Sequence, residues 1–490
     1  MTQPDPPTDR QAILSPGRNC WRIERASRFA LIIDAEAYFR AVKAAMLQAR
    51  HTIYLIGWDF DTRVPLEPSQ GGQEGPAKLG PFLRWLDRNR PDVRVHVLKW
   101  DLGLIYALGR GTTPIAVLNW MTSAHVSFKL DGAHPPGAAH HQKIVVVDDA
   151  LAFCGGIDIT ADRWDTREHK DDDHRRRRPS GRPYDPWHDA TTAVSGDVAR
   201  ALGELARDRW KRATGEDLTP PPPRTPLWPE DLDAVFTDVD VAIARTQPRT
   251  EDCEGTFEIE TLYLDAIAAT RRSFYCESQY FASRRIAEAI AARLGEADGP
   301  EFVIVNPESA DGFLESATMD SARARLLAMV RKADIHDRFR LYTPVTEARQ
   351  PIYVHAKVLV ADDRLLRVGS SNLNNRSMGF DTECDLIVEA AADDAERRDS
   401  IAAIRDDLLA EHLGTDCANV REALARHGGR LTAMLDELIG KGRSLVPYQP
   451  EESNFVEETM AENVLLDPER PPRFLRRLRQ RLGFNHRNFR

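Results

Sequence analysis

The sequence predicts an α/β protein: two similar α/β sandwich lobes related by a pseudo-two-fold duplication, each a mixed sheet covered by helices. Three observations predict it. Short apolar runs rich in β-branched and aromatic residues alternate with segments of helical spacing. The alternation restarts after a proline-rich stretch at 220–223, followed by Pro226 and Pro229. Two stretches 214 residues apart repeat one another: HQKIVVVDD at 141–149 and HAKVLVADD at 355–363. A chain of 490 residues is also long for one hydrophobic core, since cores stop growing at roughly 250–300 residues.

Taken in order, residues 1–27 read as a polar, proline-rich N-terminal tail. Residues 28–219 form the first lobe. Within it, 39–50 has helical spacing and 52–60 is a buried strand. Further strands are expected at 93–99, 126–130 and 143–147, and 193–204 leads into a helix. Residues 220–230 are a stiff, extended linker. The second lobe, 231–415, repeats the pattern with a helix at 262–271 and strands at 273–281, 302–305, 339–342 and 358–360. Residues 416–490 read as a helical, then acidic, extension that ends in a basic amphipathic segment.

Composition narrows the function. Lys+Arg 66 against Asp+Glu 76 leaves a net charge of −10, the wrong sign for a protein that coats DNA. No nucleic-acid partner is expected. The six cysteines stand singly with no C-x-x-C pair, which excludes zinc-ribbon and thioredoxin-like chemistry and suits a reducing compartment. The first ten residues lack the apolar stretch of a signal peptide, and no run of 18 apolar residues exists. The expected location is cytoplasmic, peripheral on the inner face of the membrane.

The repeated motif carries the chemistry. Each copy is H-x-K-x4-D followed by G-[GS]-x-[DN]: His141, Lys143, Asp148 and Gly155-Gly156-Ile157-Asp158, then His355, Lys357, Asp362 and Gly369-Ser370-Ser371-Asn372. On an extended strand, residues i and i+2 share a face, so each histidine projects with its lysine. Asp148 and Asp362 fall at the strand ends and read as acceptors that fix a turn. Glycine allows a close approach there, and Asp158 and Asn372 turn a polar group back. Packed about a pseudo-two-fold axis, the halves make one site with two imidazoles and two ammoniums. That set suits phosphoryl chemistry. The lysines neutralise phosphate oxygens, one neutral histidine attacks phosphorus, and the other, protonated, serves the leaving oxygen.

These motifs resemble the phospholipase D superfamily over roughly residues 28–415, closest to the phosphatidylcholine-type catalytic core. Supporting stretches are Ile56-Gly57-Trp58-Asp59, Arg163-Trp164-Asp165, Pro186-Trp187-His188-Asp189, Asn372 to Ser377, and Glu277-Ser278-Gln279-Tyr280-Phe281, in which Ser278 departs from the family's asparagine. The resemblance implies cleavage of the headgroup-side phosphodiester bond of a glycerophospholipid through a phosphohistidine, with water or an alcohol as acceptor. It implies His141 as nucleophile and His355 as acid/base, with Asp189 and Glu383 orienting the rings. Asp148 and Asp362 complete the catalytic set, and Asp158, Asn372, Ser370, Gly156 and Trp187 are the expected substrate contacts. A monomer without cofactor or metal is expected. A cardiolipin-synthase-like transferase and a nuclease of the same superfamily are the alternatives.

Two segments invite other readings. His169, Asp171, Asp172, Asp173 and His174 cluster, but they meet no known ligand spacing and read as a solvated loop before Arg175 to Arg178. Near the C-terminus, Phe474, Leu475, Leu478 and Leu482 share one face of an arginine-rich helix, the pattern of an interfacial helix on an anionic membrane.

Overall fold

The computed structural model describes residues 12–68, 72–101, 125–223, 227–250, 253–310 and 313–450, with the side chains of 313–318 set aside. Phe474, Leu475, Leu478 and Leu482 lie outside the described residues. The first half runs β1 (Arg22–Ile33), α1 (Ala35–Leu47), β2 (Thr52–Gly57), α2 (Leu79–Asn89), β3 (Arg94–Trp100) and β4 (Val126–Asp131). It continues with β5 (Ile144–Val147), β6 (Leu151–Gly155), β7 (Trp187–His188), β8 (Ala190–Gly196) and α3 (Asp197–Thr214). The second half runs β9 (Phe236–Gln247), β10 (Thr256–Phe257), α4 (Glu258–Ala269), β11 (Ser273–Glu277), α5 (Arg284–Leu294), β12 (Glu301–Val305), α6 (Phe313–Ala333) and β13 (Phe339–Val345). There follow β14 (Tyr353–Val354), β15 (Val358–Ala361), β16 (Leu365–Gly369), α7 (Asn375–Gly379), β17 (Glu383–Glu389) and α8 (Ala395–His412). Then come α9 (Cys417–Arg426), α10 (Leu431–Leu438) and β18 (Ser444–Pro447).

The two halves share one mixed sheet of 16 strands. Its centre is the long antiparallel pair β1/β9, with Phe29 opposite Phe236 and Arg22 opposite Ile243. Outward from that pair the strand order is β8-β6-β5-β2-β3-β4 on one side. On the other it is β17-β16-β15-β11-β12-β13, with β18 added at the edge. The sheet is therefore pseudo-two-fold symmetric about β1/β9. This pair begins at Arg22, inside the stretch expected to be a tail. Charged and apolar residues mix along β1 (RIERASRFALII), so it lacks the apolar run that marks the other strands.

The strands flanking the repeated motif are buried on both faces, as strands covered by helices on each side must be. Along β5, Ile144 and Val146 join a core under α3, whereas Val145 and Val147 join one under α1 and α2. Along β15, Val358 and Val360 join the first of these cores, and Leu359 and Ala361 a third under α4 and α5. The period of two thus splits each strand between layers. Between α3 and β9 the described residues form no helix or strand.

Candidate active site

Both motif histidines lie just before a buried strand, where the chain crosses toward the other half. The His141 amide donates to the Thr382 carbonyl (3.0 Å) and the His355 amide to the His188 carbonyl (2.7 Å). A short parallel ladder, β7 with β14, pairs Trp187 with Tyr353 and Val354 with His188. Each histidine is thereby bonded to the residue that precedes the other half's carboxylate.

The side chains cross in the same way. His141 Nδ1 lies 3.0 Å from both carboxylate oxygens of Glu383, and His355 Nδ1 lies 2.7 Å from Asp189 Oδ2. A carboxylate on Nδ1 fixes the tautomer and leaves Nε2 for chemistry. Glu383 also accepts the hydroxyls of Ser370 (2.5 Å) and Ser377 (2.7 Å). Burial pushes its carboxyl up to about 7 and raises Asp189 above the usual carboxylate range.

The lysines differ. Lys143 Nζ pairs with Asp158 Oδ2 at 3.2 Å and donates to the His141 carbonyl at 3.0 Å. The Lys357 ammonium donates to the His355 carbonyl, and the position equivalent to Asp158 holds the neutral Asn372. Burial draws Lys357 down to about 7, against the pull of Asp189.

Both imidazoles are held well below the ordinary histidine range. Burial is the main cause for each. Lys143 and Lys357 add to it at His141. Lys357, Arg163, Lys143 and His141 itself add to it at His355. The cations of each half therefore act on the histidine of the other, so the two motifs share one site.

The remaining expected residues separate into those at the rings and those away from them. Trp187 stacks on Tyr353 (4.5 Å between centroids) and lies 5.3 Å from the His355 ring. A Cβ on Gly156 would sit 2.2 Å from Asp189 Oδ1, so only glycine leaves that carboxylate in place. Asn372 Nδ2 lies 3.4 Å from Gln279 Oε1.

Asp148 and Asp362 are a correction to the catalytic grouping. They sit at the far ends of β5 and β15 from the histidines. Asp148 accepts the amides of Arg50, His51 and Thr52 at 2.7–2.8 Å. Asp362 accepts those of Arg271, Arg272 and Ser273 at 2.5–2.9 Å. Both have positive φ (53° and 54°), a conformation that short polar residues tolerate. Their work is to tie the loop before β2 or β11 to the adjacent strand.

Sequence reasoning missed Arg163 and Ser377 as site residues. The Arg163 guanidinium lies 4.2 Å over the Trp187 ring and adds a third cation beside the lysines. Its signal was the Arg163-Trp164-Asp165 stretch, quoted above without a role.

A family model described as "Phospholipase D" matches residues 127–252, and one described as "Cardiolipin synthase, PLD-like domain" matches 263–403. Each span contains one of the two motifs. The chain belongs to the phospholipase D superfamily. Among curated members, phospholipase D alpha 1 of Vigna unguiculata is 24% identical over 78% of this chain and 64% of its own length. Phospholipase D1 of Saccharomyces cerevisiae is 23% identical over 79% of this chain and 29% of its own. The chain thus spans less than two thirds of the length of these relatives. The phosphatidylserine synthase of Haemophilus influenzae shares the fold, with a TM-score of 0.53 at 13% identity, covering 84% of this chain and 97% of that one.

One stretch of this phospholipase D superfamily member differs from the expected solvated loop. His174, Arg177 and Arg178 are exposed, but His169, Asp173 and Arg176 are buried. Arg176 pairs with the buried Asp165 at 3.1 Å, which draws the loop inward. His169 Nδ1 meets the same carboxylate at 3.0 Å. Among the described residues no helix is long and apolar enough to cross a membrane.

Proposed function

We propose that the chain is a phospholipase D-type phosphodiesterase that cleaves the headgroup-side phosphodiester bond of glycerophospholipids. The crossed pairs His141–Glu383 and His355–Asp189, set among Lys143, Lys357 and Arg163, carry this reading. His141, the more exposed ring (16% against 6%), attacks phosphorus through Nε2. The P–N bond forms as the bond to the headgroup oxygen breaks, and His355 gives that oxygen its proton. Burial, with the neighbouring cations adding to it, keeps both rings neutral; the arriving phosphodiester anion offsets both effects, so His355 can hold that proton. Water or an alcohol then returns a proton to His355 and attacks the phosphohistidine, which frees His141. The products are phosphatidic acid or a headgroup-exchanged lipid. The lysines and Arg163 meet the charge on the phosphoryl oxygens, so no step calls on a metal.

The description of the second matched family favours one further reading, a phosphatidyl transferase whose acceptor is the hydroxyl of another phospholipid. In both readings the chain works as a monomer, peripheral on the inner membrane face through residues 471–490, and takes no nucleic acid. Incubation with phosphatidylcholine or phosphatidylglycerol plus ethanol tests this. Phosphatidylethanol is expected, and cardiolipin from phosphatidylglycerol alone marks the transferase. DNA nicking without lipid turnover would replace the proposal with a nuclease.

A further inference from the structure

We propose that Asp34, His169, His188 and Glu411 together bind one divalent transition-metal ion, with zinc the first candidate. Four separate segments bring them together: the end of β1, the loop after β6, β7 and the last turn of α8. One ligand atom from each lies within 4.8 Å of all the others, and all four side chains are buried. His188 Nδ1 is 2.9 Å from Glu411 Oε1 and 3.4 Å from Asp34 Oδ1. His169 Nε2 is 3.2 Å from Glu411 Oε1 and 3.5 Å from Asp34 Oδ2. Ligands at ~2.0–2.1 Å around a tetrahedral ion stand roughly 3.3 Å apart, within that spread.

Hydrogen bonding within the cluster is incomplete in an informative way. His188 Nδ1 and Asp34 Oδ2 are buried with no hydrogen-bond partner, although each has a complementary group within 3.5 Å. Among the inner atoms, His169 Nε2 is hydrogen-bonded to Glu411 Oε1 at 3.2 Å, so the cluster is only partly satisfied from within. Meanwhile the outer nitrogen of each histidine meets a carboxylate: His188 Nε2 with Glu277 (2.9 Å) and His169 Nδ1 with Asp165 (3.0 Å). A carboxylate on the outer nitrogen is how metal-bound imidazoles are oriented and made more basic. Two imidazoles and two carboxylates suit zinc, iron or manganese better than calcium or magnesium.

The ion would not touch substrate. It would hold the frame behind the site: Asp34 Oδ1 accepts the Asp189 amide (3.0 Å), and the His188 carbonyl accepts the His355 amide (2.7 Å). These groups play a positioning role.

Metal analysis of the purified full-length chain, dialysed without chelator, decides the matter. About one equivalent of transition metal per chain is expected. Stripping with dipicolinate should lower the melting temperature by several degrees, and Zn2+ or Mn2+ should restore it where Ca2+ and Mg2+ do not. Glu411→Gln and His169→Gln should lose the metal, whereas Cys253→Ser and Cys417→Ser should keep it. A wild-type chain that holds no metal and whose melting is unmoved by Zn2+ and Mn2+ overturns the proposal. So does metal that persists in the Glu411 and His169 variants, or restoration by Ca2+ instead.

Discussion

His141 Nδ1 lies 3.0 Å from Glu383 Oε2, although 242 residues separate the two in the chain. The mirror pair, His355 and Asp189, is joined across the same axis at 2.7 Å. Neither half can orient its own histidine, so the site exists only when both halves share the sheet. Glu383→Gln and Asp189→Asn should each lower kcat by ~10²–10⁴ by losing tautomer control and imidazolium stabilisation. The melting temperature should change little, because the amides keep an acceptor. Steady-state rates on a soluble short-chain phosphatidylcholine check this. A variant with near-normal kcat would show that the pair does not serve catalysis.

Substrate binding should depend on pH through Lys357. Its ammonium is drawn down to about 7, chiefly by burial. The charged form therefore dominates below that pH and is lost above it. For an anionic phosphodiester, this loss should pull kcat/KM down as pH rises through about 7, against the gain from Glu383, whose carboxylate forms over the same range. Arginine keeps its charge past pH ~12, so Lys357→Arg should shift that limb upward even at a lower maximal rate. A basic limb that stays in place in the arginine variant assigns it to another group.

Asp148 and Asp362 should matter for stability and not for chemistry. Each carboxylate gathers three backbone amides. Removing it leaves those donors short of a charged acceptor, and alanine is strained at positive φ. Asp362→Ala should cost about 2–4 kcal/mol, and Asp362→Asn less. Urea denaturation with rates measured on the folded fraction separates the two effects. A large loss of kcat in a fully folded Asp362→Asn variant would return this residue to the catalytic set.

Much of this was legible in the sequence for a physical reason. The paired His and Lys stand just ahead of short apolar strands whose local pattern survives any packing, and the 214-residue offset exposed the duplication. The crossing of carboxylates was not legible, because pairing across an axis leaves no trace in spacing. Strand β1 hid for another reason. Arg25 and Arg28 face solvent, and Arg22 and Glu24 are half-buried near one end, so the stretch imitates a polar tail. The loop at 169–176 has the composition of a solvated segment. Its burial comes from Arg176 meeting Asp165, an ion pair invisible in composition.

The two halves solve one packing problem with different residues, and that difference can be tested. In the first half the shorter carboxylate, Asp189, stands against Gly156; in the second the longer Glu383 stands beside Ser370, whose hydroxyl it accepts. A side chain at 156 would meet Asp189 Oδ1 at 2.2 Å and push the carboxylate off His355. A displacement near 1 Å of a positioned group can cost ~10²-fold in rate. Gly156→Ser should therefore lower kcat by about 10–100-fold with KM nearly unchanged. Adding Asp189→Glu should win back part of the loss, since the double variant copies the Ser370–Glu383 arrangement. Rates and melting curves for both single variants and the double provide the measurement. If the double variant is no better than Gly156→Ser, steric pressure on Asp189 is not what demands glycine at this position.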